Sequence, residues 1–474
     1  MPGFFARRGG VHGVAVCAAL LAASCGGGDS SSPTPSPAPT PSNGVPSFTS
    51  ADSVSVAENT EGAIYTPAAS DPDGDPVTIA IGGGADADMF TLADGVLSFK
   101  EAPNFDGPTD ANTDNRYRVN LSATDGRGGT GSLALTVTVT NDREGVYPSK
   151  VADFGAGAII SGKYNDSGVI RVTRSGEIGW FDRARDQIIE FGNVFLEGES
   201  GRPMAVAEYN SLVVVMLEIE GRGIVLRTIV TPFSSFRPGK TIDLAPATVQ
   251  EQRGSLQKSV DGYLTAAVGD LSGDFAQDAN SGLGKLFLVL FNLPCGIYAS
   301  DYCFDARVIG SGLRAPVGFS RNASILLIDR GAEIDEINLF RSTFLPDEPL
   351  VNFGWPFFEG DAERMADPPS PLLAPLLTFP HGDSFLEGHG LTGSIDYLGQ
   401  VRSLYGAVIL SDESGKIFTF NGSVFHTDPQ PFELENRTAD FVPMSGALEM
   451  PVDFEMNHDG RLFVLDADGE LYEI

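Results

Sequence analysis

The chain has 474 residues, and 63 acidic side chains against 31 basic ones leave a formal charge of −32. That length argues against a single compact domain, and 42% hydrophobic residues exclude wholesale disorder because the chain can bury a sizeable core. The charge excludes a general nucleic-acid binder, since phosphate neutralisation needs clustered Lys and Arg, and makes cations the more natural partners. With 56 Gly and 31 Pro, a turn-rich, all-β chain is favoured over a helical one.

At the N-terminus, Arg7 and Arg8 precede an apolar run from Val14 to Ala23. The run is too short to span a bilayer and has the n-region and h-region of a signal peptide. It ends in Ser24-Cys25-Gly26, and small residues directly before a cysteine followed by a Gly/Ser stretch resemble a bacterial lipobox. The resemblance implies a signal peptide over 1–24, a lipidated Cys25, and an exported protein held to the cell envelope, periplasmic or at the outer membrane, by that lipid alone. Residues 25–45 are Gly, Ser, Pro and Thr, and form an extended tether. Cys17 leaves with the signal. Cys295 and Cys303, eight apart in an oxidising compartment, are expected to form a disulfide closing a short loop.

Residues 46–143 carry short alternating runs, such as Tyr117 to Ala123 and Ser132 to Val139, separated by Asp/Gly turns. Period-two patterning at this spacing predicts an antiparallel sandwich of seven strands. Ala57-Glu58-Asn59, Asp71-Pro72-Asp73-Gly74-Asp75, Pro103-Asn104-Phe105-Asp106, Asp125-Gly126 and Asn141-Asp142 together resemble bacterial cadherin-like repeats. The resemblance implies Ca²⁺ at two poles, with Asp71, Asp73 and Asp125 at one and Glu58, Asn104, Asp106 and Asp142 at the other, because hard Ca²⁺ collects six to eight oxygens. Solvated turn-forming acids are the alternative. The module is also a surface for a protein partner.

Residues 147–474 show almost no helical periodicity, and strand-like runs such as Leu212 to Leu217, Lys285 to Phe291 and Arg461 to Leu465 recur after Asp-Gly turns. About 55 residues per unit suits a six-bladed propeller of four-stranded blades. Asp261 to Asp270, Ala276 to Lys285, Gly312 to Gly318, Ile334 to Asn338 with Asn352 to Gly360, Phe379 to Gly393, and Asp459 to Tyr472 resemble, in order and spacing, the glucose/sorbosone dehydrogenase family of propellers that use pyrroloquinoline quinone (PQQ). The resemblance implies Ca²⁺, PQQ and a small sugar as partners. It places Glu251 where the family has its catalytic histidine, Asp270 and the Gly331 and Ala332 carbonyls toward substrate and calcium, and Arg314, Asp335 and His381 on the cofactor side. His389 lies near the same face.

Several basic positions of the family are replaced: Glu413 stands for a cofactor lysine and Leu448-Glu449-Met450 for an Arg-x-Arg pair. PQQ carries three carboxylates, so these changes weaken its binding. Three readings remain open. They are a PQQ-dependent sugar or alcohol oxidoreductase, a non-catalytic surface propeller that binds a glycan or protein, and an adhesive role led by the calcium module. No hydrolase elbow, phosphate loop or Cys/His zinc spacing is present.

Overall fold

The computed structural model describes residues 42–162, 168–209, 212–230, 237–248, 250–258, 263–294, 302–321, 325–340, 349–421 and 434–474. The signal peptide, the lipidated Cys25, most of the tether and Cys295, with its pairing to Cys303, lie outside the described residues.

The first unit is a sandwich. One sheet has the order Ser53–Ala57, Thr130–Thr140, Arg116–Thr124, Thr78–Gly83, and the other Ala63–Tyr65, Val96–Phe99, Phe90–Ala93, which makes the seven strands that the alternation predicts, although Ser53–Ala57 pairs parallel rather than antiparallel to Thr130–Thr140. A two-residue ribbon pairs Ser47–Phe48 with Ala69–Ser70. In Arg116–Thr124 every second side chain is buried. Tyr117, Val119 and Leu121 thereby meet Leu135, Val137 and Val139 in one core, capped by the edge contact of Phe99 on Tyr117 at 5.0 Å.

The second unit closes as a ring of six sheets. Their innermost strands are Ile159–Gly162, Gly201–Tyr209, Gly254–Lys258, Pro316–Arg321, Leu391–Asp396 and Pro451–Met456, here blades 1 to 6, each strand touching the next and the last touching the first. The outermost strand of blade 6 is Ser149–Asp153, from the start of the unit, which pairs with Glu470–Glu473 at the C-terminus.

The long apolar runs follow from this ring, because alternation sends successive side chains to different neighbours. From Leu212–Ile219, Val213, Val215 and Leu217 pack toward blade 1, whereas Val214 and Met216 pack toward blade 3. Likewise Phe463 and Leu465 face blade 1 while Leu462 and Val464 face blade 5. A middle strand buried on both faces needs no polar positions, which is why these strands read as continuous Val, Leu and Ile. Each such side chain contributes roughly 1.5–3 kcal/mol on burial.

The two units are joined at the pole where the second calcium ion was expected, and that expectation is corrected here. The cation at this pole is the guanidinium of Arg437, which follows the last strand of blade 5. Its Nε lies 3.1 Å from Asp106 and contacts Asp440, and its Nη2 lies 2.9 Å from Glu144. Asn104 donates to Glu435 at 2.7 Å, Asn141 donates to Asp440 at 2.8 Å, and the Asn436 N–H donates to the Asp106 carbonyl at 2.7 Å. Glu58 receives the N–H groups of Asp142 at 2.6 Å and Phe105 at 2.9 Å, so Asp142 contributes its backbone. Burial pushes the Asp106 carboxyl up to about 8 against the pull of Arg437.

Removing one partner of a buried ion pair leaves the other charges uncompensated. Arg437→Met is therefore expected to lower unfolding free energy by about 3–5 kcal/mol, measured by urea denaturation. The loss should be the same whether measured in EDTA or in Ca²⁺, because the cation at this pole is a side chain.

Candidate functional site

The register of the blades determines which loops meet. Pro316 pairs with Asp329, Leu391 with Asp412, Gly254 with Val268 and Ile159 with Val172, so the segments flanking the first residues of the inner strands share one mouth of the ring. Arg174, Arg202, Arg253, Arg314 and Arg330 all lie at that mouth, contributed by four successive blades of a chain whose net charge is −32.

Arg314 is set by a tight turn. Gly312 has φ +82°, and a Cβ there would lie 2.6 Å from Asn352 Oδ1, so a side chain would separate this turn from the Asn352-Phe353-Gly354-Trp355 segment. The N–H groups of Arg314 and Ala315 donate to Asp329 at 2.8 and 2.6 Å, and burial pushes the Asp329 carboxyl up to about 7. The Arg314 guanidinium lies 5.4 Å over the Trp355 ring and donates from Nη1 to the Arg330 carbonyl at 3.0 Å, while its buried Nε has no hydrogen-bond partner. Arg330 is ion-paired with Glu413, and Arg253 lies 3.7 Å from the same carboxylate oxygen. The Arg330 guanidinium holds the Glu413 carboxyl below its ordinary range. The negative charge at the position of the family's lysine is thus enclosed by two arginines, and Arg314 has no carboxylate partner among the described residues.

The mouth opens on a cavity of about 350 Å³ along the ring axis. Arg174, Arg202, Arg253 and Glu251 line its rim, and Ser394, Asp453 and Glu455 line it further along the inner strands. Burial pushes Asp453 up to about 7 and raises Glu455 as well, the neighbouring Asp453 adding to the effect on Glu455.

The residues expected from the sequence divide into three groups. Gly331, Asp335 and His381 come together where blades 4 and 5 meet, the Ala332 N–H donates to Glu359, and Arg314 touches this group only through the Arg330 carbonyl, its guanidinium lying over Trp355 on the blade 3 side. Asp335 is fully buried and receives the Gly331 N–H at 3.0 Å and the Leu391 N–H at 2.6 Å, and His381 Nε2 lies 3.0 Å from it. Burial pushes the Asp335 carboxyl up and the His381 ring pulls it back. Glu251 sits apart on blade 3, 77% exposed and 3.8 Å from Arg202. Asp270 is corrected: fully buried, it receives the Ser272 hydroxyl at 2.7 Å and the Phe275 N–H at 2.7 Å, and serves as the bracket of a turn rather than a group facing substrate. His389 pairs with exposed Asp383 at 2.7 Å, outside this cluster.

Arg253 and Arg330 were missed from the sequence. Their signal was positional, since Arg253 lies two residues after Glu251 and Arg330 directly follows the strand Ile325–Asp329.

At the free pole of the sandwich, Asp71, Asp73 and Asp75 each bring a carboxylate oxygen within 4.8 Å of the others. Asp71 Oδ2 and Asp75 Oδ2 are buried and without hydrogen-bond partners, which fits a hard divalent ion bound through oxygen. Asp75 thus joins the expected pair. Asp125 is engaged differently: the Asn43 amide at 2.6 Å, with the N–H groups of Arg127 and Gly129, holds its carboxyl below the ordinary range. Gly44 also donates to Asp73 at 2.6 Å, so this pole lies where the tether enters the sandwich.

Residues 43–140 match the bacterial Ig domain family. A search of curated proteins found no match to the chain. Three solved structures share its propeller fold. A glucose dehydrogenase is 16% identical with TM-score 0.50, covering 69% of this chain and 99% of its own. The soluble aldose sugar dehydrogenase of Escherichia coli is 15% identical with TM-score 0.51, covering 69% and 98%. An oxidoreductase of Thermus thermophilus, described as a glucose dehydrogenase, is 17% identical with TM-score 0.51, covering 69% and 99%. The chain therefore joins a bacterial Ig domain to a propeller of the sugar-dehydrogenase fold.

Millimolar Ca²⁺ is expected to raise the melting temperature of the protein over its value in EDTA, by the equivalent of about 2.7 kcal/mol at a hundred times the dissociation constant. Asp73→Asn should erase the difference, and a melting curve unchanged by Ca²⁺ would count against an occupied site.

Proposed function

We propose that this is an exported lipoprotein whose propeller binds PQQ at the arginine mouth and oxidises a small sugar or related alcohol. The observation that carries this reading is the convergence of Arg253, Arg314 and Arg330, which offers planar, bidentate donors to carboxylates despite the loss of the family's lysine. The unpartnered Nε of Arg314 is a donor prepared for such a group. The residues present thus fit the carboxylates of PQQ, which would supply the two-electron acceptor.

The chain's own groups have separate tasks. Glu413 holds Arg253 and Arg330 side by side, and Trp355 supports Arg314 from one face. Asp335, by accepting from Nε2 of His381, leaves Nδ1 as the ring nitrogen able to take a proton from a sugar hydroxyl. Lipid attachment at Cys25 and the tether would hold the folded part at the envelope surface, with Ca²⁺ stiffening the point where the tether meets the sandwich.

A second reading, a propeller that binds its sugar or glycan without oxidising it, is favoured by Glu251. At the base position it stands exposed beside Arg202, with water free to reach the carboxylate that would have to face a sugar hydroxyl.

Incubating the mature protein with PQQ and Ca²⁺, then measuring PQQ binding and dye reduction with a panel of aldoses, separates the two. The dehydrogenase reading expects saturable PQQ binding weakened about tenfold or more by Arg330→Ala, and turnover that falls in His381→Asn without loss of PQQ affinity. Sugar binding without PQQ binding or dye reduction would establish the second reading.

A further inference from the structure

The arginines extend beyond what a quinone cofactor needs, and the cavity has two chemically different ends. At the rim, Arg174 is exposed and without a carboxylate partner among the described residues, and Arg202 and Arg253 line the same cavity from the next two blades. Arg202 is matched by Glu218 at 2.7 Å, whereas Arg253 shares Glu413 with Arg330. Glu251 lines the same rim 3.8 Å from Arg202, so Arg174 is the cation left uncompensated there in a strongly acidic protein, and such a local inversion of sign attracts anions.

Further along the axis the lining changes character. Ser394 Oγ is buried without a hydrogen-bond partner, and Asp453 and Glu455, two residues apart on one inner strand, face the same cavity. Asp453 Oδ2 receives the Ile160 N–H at 3.3 Å, which fixes that carboxyl to the inner strand of blade 1. These groups both accept and donate hydrogen bonds when partly protonated, and an anion would be repelled by them when ionised. The volume of about 350 Å³ lies at the small end of ligand pockets, about 300–1,000 Å³.

A ligand complementary to this cavity is anionic at one end and hydroxylated along the rest. We propose that the ligand of the axial cavity is a sugar acid, a uronate or aldonate, whose carboxylate meets Arg174 at the rim and whose hydroxyls meet Ser394, Asp453 and Glu455. The choice of a sugar rests on the sugar-dehydrogenase reading above, while the choice of an acid rests on the rim.

The test is titration calorimetry on the full mature chain without PQQ, using D-glucuronate, D-gluconate, D-glucose, acetate and inorganic phosphate as separate probes. The expected result is that one of the two sugar acids binds about tenfold or more tightly than glucose, with affinity falling as salt is raised. Arg174→Ala, at an exposed side chain with no ion pair among the described residues, should remove most of that preference, and Ser394→Ala should weaken the sugar acid while leaving acetate unchanged. Equal affinity for glucose and both acids, or a preference untouched by Arg174→Ala, overturns the proposal. Acetate or phosphate binding as tightly as the sugar acids overturns it too, by reducing the rim to a simple anion site. The two readings fail separately. Loss of PQQ binding with sugar-acid binding intact removes the dehydrogenase alone, and turnover of neutral aldoses with no acid preference removes this inference alone.

Discussion

Closure of the ring is the constraint on which the rest depends. Six twisted sheets enclose an axis only if the last is joined to the first, and here the joint is a strand from the beginning of the unit, Ser149–Asp153, laid beside Glu470–Glu473. Because the joint is antiparallel backbone pairing between the two ends of the unit, making it carries the entropic cost of closing a very long loop. Once formed, it aligns the inner strands with their first residues at one mouth, which brings arginines from four blades together.

Charge is organised by the same closure. The chain repels itself as a whole, yet its cations are collected at places where carboxylates alone would be untenable. Arg437 is surrounded by Asp106, Glu144, Glu435 and Asp440, and it joins two units that would otherwise repel each other. At the mouth the proportions are reversed, with Glu413 between two arginines and Arg314 stacked on Trp355. The junction encloses its guanidinium among four carboxylates and is structural, whereas the mouth keeps positive charge available for a ligand.

The fold was largely legible in the sequence because its signals are local. Alternation in Arg116–Thr124 identifies a sandwich strand, and unbroken apolar runs such as Leu212–Ile219 identify strands buried on both faces. Site chemistry was legible only in part: Asp335 meets His381, whereas Arg314 touches the Arg330 carbonyl and stands over Trp355. Asp270 misled because an aspartate that brackets a turn and one that faces a substrate have the same local sequence, and only burial separates them. Asp125 accepts from Asn43 at the end of the tether, a partner no local motif discloses, and Asp75 stands with Asp71 and Asp73 instead.

The −32 charge, the alternation and the turn spacing by themselves determined an acidic, all-β chain of two units, since composition and periodicity act residue by residue. Only the tertiary structure decided which charges face one another. Arg253 and Arg330 compensate Glu413 through the register of three blades, and Arg437 stands at a pole of another unit, more than three hundred residues away in the chain from the Asp106 it meets. Electrostatic pairing depends on separation in space, and no pattern along the sequence encodes that distance.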